Sequence, residues 1–343
     1  MNIRDQTILV TGGAGFIGSA MIRFLINNTA YKVVNIDKLT YAGHLESLEP
    51  IVNNEGYFFE QEDICNKQAM HGLFDKYKPV GVIHLAAESH VDRSITGSDL
   101  FIQTNIIGTY NLLEASRNYY DKASDSVKSL FRFLHVSTDE VFGSLTQEGF
   151  FNESTAYSPR SPYSASKASS DLLVNAWHHT YNLPTVITNC TNNYGPYHYP
   201  EKLIPLTINN ALQLKSIPIY GSGNNVRDWL YVDDHVAGIF LVFKNGKLGE
   251  SYCIGGHNER TNYEVVTTIC KILDELKPNA NIKSYADLII HTEDRLGHDY
   301  RYAIDSTKLT TELNWVPNDT FETGIRKTIL WYLDNQKWIK EVM

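Results

Sequence analysis

Short apolar runs alternate with amphipathic segments along the first half of the chain. The runs are rich in β-branched and aromatic residues and predict strands at 7–10, 31–36, 57–60, 80–86, 131–136 and 184–188. Between them, apolar residues recur at helical spacing near 16–28, 66–77, 99–121 and 162–182. Apolar strands separated by helices are typical of a parallel sheet covered on both faces. The pattern therefore predicts an α/β fold with a doubly wound parallel sheet.

The pattern becomes less regular after about residue 190. Turn-forming residues and tyrosines fill the stretch 192–202, and a smaller α/β lobe is expected to follow it. A predicted helix at 232–243 and a predicted strand at 251–256 have the character of the first half again. We expect a main domain over residues 1–190, to which segments near 229–260 return, and a substrate-binding lobe over 191–343.

Composition and charge exclude several classes of function. A net charge of −9 disfavours a general nucleic-acid or anionic-membrane binder. The chain begins with a strand pattern and its most apolar later run is too short to cross a bilayer, which predicts a cytoplasmic protein without a signal peptide. The four cysteines form no CxxC pair, and His178 and His179 are neighbours on a helix and cannot chelate together. We therefore expect reduced thiols and no metal site.

The first strand leads into TGGAGFIGSA, residues 11–20. Its glycines fit G-x-G-x-x-G and G-x-x-G-x-x-G, and the sequence opens a predicted helix. A tight turn without a ligand is the alternative. Glycines at this position allow a pyrophosphate to approach the backbone at a helix N-terminus, which predicts a Rossmann-type dinucleotide site. The candidate residues are Gly12, Gly15, Phe16, Ile17 and Gly18.

Further cofactor contacts are predicted where the next strands end. Asp37 closes the second strand, 19 residues after Gly18, where a carboxylate can accept hydrogen bonds from ribose hydroxyls and repel a 2′-phosphate. This favours NAD over NADP. Asp63 and Ile64 follow the third strand and are expected to flank the adenine. Ala86 and Ala87, after the fourth, leave room for the cofactor.

Two pairs of residues indicate chemistry. Tyr163 and Lys167 share one face of a predicted helix, so the ammonium group is expected to lower the pKa of the phenol and make it a base for an alcohol proton. Alone, Y-x-x-x-K also fits a surface pair. Asp139 and Glu140 follow a buried strand, where the alternative is a solvated loop. Beside a nicotinamide, unlike carboxyl groups can serve as an acid and a base.

The motifs resemble those of known enzymes. TGGAGFIGS, STDEVFG and YSASK, in this order, are similar to motifs of the extended short-chain dehydrogenase/reductase family. Within it, the chain resembles the dTDP-glucose 4,6-dehydratases over nearly its whole length, in the blocks LAAESHVDRSI, STDEVFG, NNYGPYHYPEKLIP, RDWLYVDDH and GHDYRYAID. The resemblance implies an NAD-dependent hydro-lyase that makes a 4-keto-6-deoxy sugar. It also implies further cofactor contacts, at Lys38, Leu85, Thr104 and Asn192.

The resemblance assigns catalytic roles. It implies that Tyr163, helped by Thr138, takes the proton of the C4 hydroxyl, and that Lys167 holds the nicotinamide ribose. Glu140 is the base at C5 and Asp139 the acid at O6. Because consecutive residues of a strand point to opposite sides, both acids can serve one sugar only if the chain turns after Val136.

The substrate is expected to be a nucleotide sugar held by the second lobe. The implied contacts are Ser89, Thr138, Asn193, Lys202, Leu203, Pro218, Tyr220, Arg227, Asn262, Arg295 and His298. Leu296 and Tyr300 depart from the family pattern, which has Pro and Arg there, and one cation near the nucleotide is absent. The resemblance also implies a homodimer formed by the helices near 99–121 and 162–182.

Other functions fit parts of the sequence. An epimerase or a UDP- or GDP-sugar dehydratase would share the fold, although epimerases lack the acidic pair and Asp37 disfavours the NADP-using GDP-mannose type. A non-catalytic dinucleotide sensor is an alternative of another class. Such relatives lose the Tyr or the Lys, and both are present here.

Overall fold

Twelve strands run through residues 3–294 and 298–343, the part of the chain that the computed structural model describes. In chain order they are β1 (Thr7–Thr11), β2 (Lys32–Asp37), β3 (Tyr57–Gln61), β4 (Gly81–His84), β5 (Arg132–Thr138), β6 (Thr185–Cys190), β7 (Asn192–Tyr194), β8 (Ile217–Tyr220), β9 (Val226–Tyr231), β10 (Ser251–Ile254), β11 (Glu259–Thr261) and β12 (Ile289–Thr292).

Seven of these strands form one parallel sheet in the order β10-β6-β5-β4-β1-β2-β3. The six strands predicted in the first half are confirmed, with ends that differ by at most two residues. The strand order reverses between β1 and β4, which are neighbours in the sheet. At such a reversal the connections leave in opposite directions and open a crevice at the carboxyl ends of the strands, where ligands bind in this class of fold.

The α-helices are α1 (Phe16–Asn28), α2 (Lys67–Tyr77), α3 (Val91–Thr96), α4 (Asp99–Phe101), α5 (Thr109–Lys122), α6 (Asp125–Lys128), α7 (Pro162–Tyr181), α8 (Leu203–Leu212), α9 (Val232–Asn245), α10 (Asn262–Leu276), α11 (Thr307–Leu313), α12 (Phe321–Asp334) and α13 (Gln336–Val342). The predicted helices are confirmed. The segment predicted as one helix at 99–121 contains a π-helical stretch, Ile102–Gly108, between α4 and α5.

Both faces of the large sheet are covered, which explains why its strands are apolar throughout. On one face, α1 and α9 contribute Ile22 and Ile239 to the core. On the other, α2, α5 and α7 contribute Phe74, Leu112 and Val174. Full burial of such a side chain is worth about 1.5–3 kcal/mol. The two cores fix the sheet, and with it the positions of the residues at its carboxyl edge.

The smaller lobe begins immediately after β6. Strand β7 pairs with β9, and β9 with β11, in a three-stranded sheet, while β8 and β12 form a two-stranded sheet. Helices α8, α10 and α12 enclose a separate core that includes Ile208, Ile269 and Ile325. From β9 the chain passes through α9 to β10, which lies at the edge of the large sheet beside β6. No helix among the described residues is long and apolar enough to span a bilayer.

Candidate active site

A cavity of about 640 Å³ lies at the carboxyl ends of β1, β4, β5 and β6 and continues into the smaller lobe. Of the predicted residues that the structure describes, all but Asp139 line it. On the cofactor side these are Gly12, Gly15, Phe16, Ile17, Gly18, Asp37, Lys38, Asp63, Ile64, Leu85, Ala86, Ala87, Thr104 and Asn192. The others are Ser89, Thr138, Glu140, Tyr163, Lys167, Asn193, Lys202, Leu203, Pro218, Tyr220, Arg227, Asn262 and His298. Arg295 and Leu296 lie outside the described residues.

The glycine turn brings β1 close to β4 and opens the start of α1. Gly12 has φ +69°, and a Cβ there would lie 2.7 Å from the backbone of Ala86. A Cβ on Gly18 would lie 2.0 Å from the carbonyl oxygen of Gly12. The N-cap of α1 is Gly15, which has no side chain to occupy the free N–H groups of the first turn. These groups face the cavity, so the turn fits the pyrophosphate of a dinucleotide.

Asp37 is a buried carboxylate at the end of β2. It accepts hydrogen bonds from the backbone N–H groups of Ala14 (2.9 Å) and Leu39 (2.8 Å), and so ties the glycine turn to β2. Burial raises the pKa of Asp37, and the two hydrogen bonds lower it. A carboxylate at the end of the second strand fits the ribose hydroxyls of a bound NAD.

Lys38 is engaged by neighbouring acceptors. Its Nζ donates to Thr104 Oγ1 (3.2 Å) and lies 3.6 Å from Asp63 and 3.9 Å from Glu88. The positive charge beside Asp37 is therefore balanced by two carboxylates, which fits NAD better than a cofactor with a 2′-phosphate.

The turn that carries the acidic pair begins two residues later than predicted. Strand β5 continues to Thr138, and a 3-10 helix, Asp139–Phe142, follows. The chain does turn after Val136, as the acidic pair requires, but the strand ends two residues later than predicted. The Thr138 hydroxyl accepts the N–H of Glu140 (3.3 Å), donates to Asp139 Oδ1 (3.3 Å) and hydrogen-bonds with Tyr163. This tight turn leaves Glu140 on the cavity wall and Asp139 in the core behind it.

Asp139 is only 2% exposed, and its burial determines its chemistry. Burial, together with the charges of Glu140 and Asp228, raises the pKa of Asp139 to about 8 against the lowering effect of Arg227. Oδ2 makes no hydrogen bond with any residue in the described ranges. An aspartate with this pKa is largely protonated at neutral pH and can act as a proton donor.

Tyr163 has the opposite electrostatic character from the one predicted. Burial and the charge of Glu140 raise the pKa of Tyr163 well above its usual value of 10, and Asp139 adds to the effect. The hydrogen bond with Thr138 lowers it, but not enough to compensate. The expectation of a lowered phenol pKa is therefore wrong for this structure.

Lys167 lies one turn beyond Tyr163 on α7, as the spacing predicts. Its Nζ donates to the carbonyl oxygen of Val136 (2.9 Å) and lies 3.3 Å from His135 Nε2. The side chain is only 3% exposed, yet it lines the cavity. These contacts hold it at the end of β5, between the cofactor side and the core.

Arg227 is the cation that β9 presents to the cavity. Its guanidinium donates to the carbonyl oxygens of Val226 (2.8 Å) and Asp299 (3.0 Å) and lies 4.4 Å from the ring centroid of Tyr302. The carbonyl oxygen of Tyr300 also accepts from it at 3.4 Å, whereas the Tyr300 side chain is 43% exposed. The unusual residue at position 300 therefore takes part in holding Arg227 through its backbone.

Sequence reasoning missed a group of side chains that joins the two lobes over the cavity. Arg93 lies 3.5 Å from the ring centroid of Tyr41 and 3.5 Å from Glu201, which also lies 3.6 Å from His90. Tyr41 packs edge-on against Tyr199. The partners come from three distant parts of the chain, and no local pattern signals their meeting.

The histidines take up structural contacts. His178 Nδ1 lies 2.9 Å from the carbonyl oxygen of Leu183, and His84 lies between the hydroxyls of Thr11 (2.7 Å) and Thr109 (2.9 Å). Within the described ranges, no group of three or more His, Cys, Asp or Glu side chains is arranged to hold a metal ion.

Comparison with known proteins places these features in a family. Residues 9–328 match the family model described as GDP-mannose 4,6 dehydratase. The dTDP-glucose 4,6-dehydratase of Shigella flexneri is 59% identical to this chain over 98% of this chain and 95% of that protein. The dTDP-glucose 4,6-dehydratase 1 of Escherichia coli K12 has the same identity and coverage. The crystal structure of the Bacillus anthracis dTDP-glucose 4,6-dehydratase in complex with NAD is 42% identical, covers 98% of this chain and 100% of that one, and has a TM-score of 0.87.

Proposed function

Since the chain belongs to the GDP-mannose 4,6-dehydratase family, and is 59% identical to dTDP-glucose 4,6-dehydratases within it, we propose that it converts dTDP-glucose to dTDP-4-keto-6-deoxyglucose and water. One observation carries the proposal: two adjacent carboxyl groups in unlike environments stand beside Tyr163. Glu140 faces the cavity, and buried Asp139 has a pKa of about 8. An epimerase needs no such pair, whereas removal of water requires both a base and an acid.

NAD is the cofactor, and the residues present fit it. When bound, it would supply a hydride acceptor for C4 of the sugar and a hydride donor for C6, so that turnover would need no outside oxidant. The Gly12–Gly18 turn holds the pyrophosphate, Asp37 the adenosine ribose, and Lys167 the nicotinamide ribose.

The chain's own residues move the protons. Tyr163, hydrogen-bonded to Thr138, takes the proton of the C4 hydroxyl as a phenolate, a form that the positive charge of bound NAD would favour over the neutral phenol of the cofactor-free site. The resulting ketone acidifies the C5 proton, which Glu140 removes, and the C6–O6 bond breaks as O6 receives a proton from Asp139 and leaves as water. Because Asp139 does not line the cavity, the Thr138 hydroxyl, 3.3 Å from Oδ1, gives its own proton to O6 and takes the proton of Asp139 in exchange. A proton returns to C5 from Glu140 and completes the product.

The smaller lobe holds the nucleotide. Arg227 and Lys202 supply positive charge for the diphosphate, against a chain whose net charge is −9. Asn193 lines the cavity, and its buried Oδ1 makes no hydrogen bond within the described ranges. Pro218 and Tyr220 are positioned on β8 to pack against the base. The contact expected of Arg295 stays a prediction.

Incubation of the purified protein with dTDP-glucose and, separately, with UDP-glucose tests the proposal. We expect NMR spectra of a 4-keto-6-deoxy product, with kcat/KM for dTDP-glucose at least about tenfold higher, a difference of about 1.4 kcal/mol in transition-state binding. Formation of the galactose epimer, or a preference for UDP-glucose, would contradict it.

We also propose that two copies associate through the layer of α5 and α7. These helices are neighbours, because Trp177 Nε1 donates to Glu114 Oε1 at 3.1 Å. Large apolar side chains that are more than a third exposed lie on α7 and on the segment that leads into α5: Leu172 on α7 at 61%, Leu100 on α4 at 57% and Ile107 in the π-helical stretch at 41%. An exposed apolar surface on neighbouring helices suits a self-complementary contact of a twofold dimer.

The cytoplasm is the proposed compartment. Cys65, Cys190, Cys253 and Cys270 are all free thiols, and three of them are buried. Unpaired cysteines are typical of proteins that work in a reducing environment. Alkylation of the protein, denatured directly from cells, followed by mass spectrometry tests this. Alkylation of all four cysteines would support the proposal, and oxidised cysteines would oppose it.

A further inference from the structure

Helix α7 carries a third ionisable side chain on the face of Tyr163 and Lys167. Asp171 follows Lys167 at the same spacing of four residues, which places it farther from the cavity and deeper in the core. The side chain is 0% exposed and does not line the cavity, so the proposed reaction gives it no role. Burial of a carboxylate is unfavourable unless hydrogen bonds and an opposite charge stabilise it.

Neutral donors converge on one oxygen of this carboxylate. Oδ2 accepts hydrogen bonds from the hydroxyls of Ser137 (2.7 Å) and Tyr157 (3.0 Å) and lies 3.5 Å from Asn189 Nδ2. These donors come from β5, from the loop before α7 and from β6. Hydrogen bonds donated to a carboxylate favour its ionised form. The surroundings of Asp171 are therefore built to hold a negative charge.

The other oxygen lies beside His135, which also contacts Lys167. Oδ1 of Asp171 lies 3.2 Å from His135 Nε2, and the same nitrogen lies 3.3 Å from Lys167 Nζ. The carboxylate and the ammonium group therefore both contact one imidazole nitrogen. Burial lowers the pKa of Lys167, and the charge of Asp171 raises it. Burial raises the pKa of Asp171 to about 6, and the charge of Lys167 and the hydrogen bonds limit that rise, so the carboxylate is largely ionised at neutral pH.

The remaining ionisable groups that face Lys167 are neutral. They are His84 on β4, His135 on β5, Cys190 on β6 and Tyr163 on α7. Burial lowers the pKa of both imidazoles well below the usual value and raises the pKa of the thiol and of the phenol. Asp139 and Glu140 act on Tyr163, whose pKa they raise. Asp171 thus supplies the negative charge that balances Lys167.

We propose that Asp171 is a positioning residue that keeps Lys167 in its charged ammonium form in a site too buried to sustain that charge alone. The role of Lys167 at the nicotinamide ribose rests on the proposed function. The contribution of Asp171 rests on the contacts within α7, β5 and β6. Without the carboxylate, Lys167 would lose its proton at a lower pH, and the site would lose its cation while the fold stayed in place.

The pH dependence of NAD binding tests the proposal. In Asp171→Asn, which keeps the shape and removes the charge, NAD affinity should begin to fall at a pH about one to three units lower than in the parent protein. The matched control is Tyr157→Phe, which removes one hydrogen bond from the same carboxylate but keeps its charge, and whose profile should follow the parent. If Asp171→Asn lowers the affinity equally at every pH, the role of Asp171 is structural and the proposal is overturned.

Thermal unfolding provides a second test that does not depend on cofactor binding. Removal of one member of a buried charge pair leaves the other uncompensated, whereas removal of both does not. Lys167→Met and Asp171→Asn should each lower the melting temperature, and the double variant should melt at a higher temperature than the sum of the two losses predicts. If the two losses in melting temperature are strictly additive in the double variant, the proposal is contradicted. This comparison applies even if Asp171→Asn is strongly destabilised.

The tests separate this inference from the proposed function. One outcome is that the parent converts dTDP-glucose while the pH profile of NAD affinity in Asp171→Asn is unshifted and the melting-temperature losses of the single variants are additive. In that case only the role of Asp171 fails. If the parent does not convert dTDP-glucose, the proposed function fails, whereas a non-additive cycle would still support the charge pair.

Discussion

At the residue scale, the burial of Asp139 gives the proposed reaction its pH dependence. The pKa of about 8 means that the proton donor is present below that pH and is lost as the pH rises through it. Turnover should therefore fall above about pH 8, and Asp139→Asn should reduce it by about 10²–10⁴ below that pH, because a general acid contributes this much, with a smaller difference above it. A pH–rate profile measures both effects. A variant with parental turnover would refute the assignment.

The same carboxyl links stability to pH. Its pKa is raised from 3.8 in water to about 8 in the folded chain, so the folded state binds a proton that the unfolded state releases between these values. Stability is thus lost as the pH rises over this range, and Asn, which does not titrate, escapes the loss. The melting temperature of Asp139→Asn relative to the parent should rise from about pH 4 to about pH 9.

Residue identities could be predicted from the sequence, but their ionisation could not. Tyr163 and Lys167 follow from helical spacing, and Asp139 and Glu140 from a strand that ends in acids. Their pKa values depend on burial and on groups such as Asp228, which is distant in the chain. For this reason the predicted lowering of the pKa of Tyr163 was wrong, while the residues themselves line the cavity or lie directly behind its wall.

At the scale of elements, the hydrophobic pattern fixed most of the large sheet because each buried strand must be apolar on both faces. The pattern could not locate the π-helical stretch Ile102–Gly108, since its 7 residues are too few for their spacing to be told from that of the flanking α-helices. In that stretch Asn105 donates to the carbonyl oxygen of Glu88 (3.0 Å) and to Ser166 Oγ (2.8 Å). The π-helical stretch therefore links the loop that follows β4 to helix α7. Such contacts depend on tertiary packing and leave no local signal.

At the scale of the whole molecule, the exposed apolar side chains Leu100, Ile107 and Leu172 predict self-association. In Leu172→Asp, a charge within the proposed contact should convert the dimer to a monomer, which light scattering after gel filtration measures. Val316→Asp is the matched control, because Val316 is 60% exposed but lies outside this group. A monomeric parent, or a Leu172→Asp variant that remains dimeric, would contradict the proposed contact.

The two-lobe organisation belongs to the same scale. The division near residue 190 stays a prediction, but the path of the chain around it is clear: β7 enters the smaller sheet directly after β6, and β10 pairs with β6 again. The sequence indicated this return through the pattern at 232–256. It could not indicate that Tyr41, Arg93 and Glu201 meet across the lobes, because these contacts join distant segments.

Turnover of dTDP-glucose that carries deuterium at C4 tests the central claim most directly, since that atom must leave C4 and rejoin the sugar at C6. NMR of the product formed in ordinary water should show a 4-keto sugar with the deuterium in its C6 methyl group. Deuterium retained at C4, or lost to water, would contradict the account.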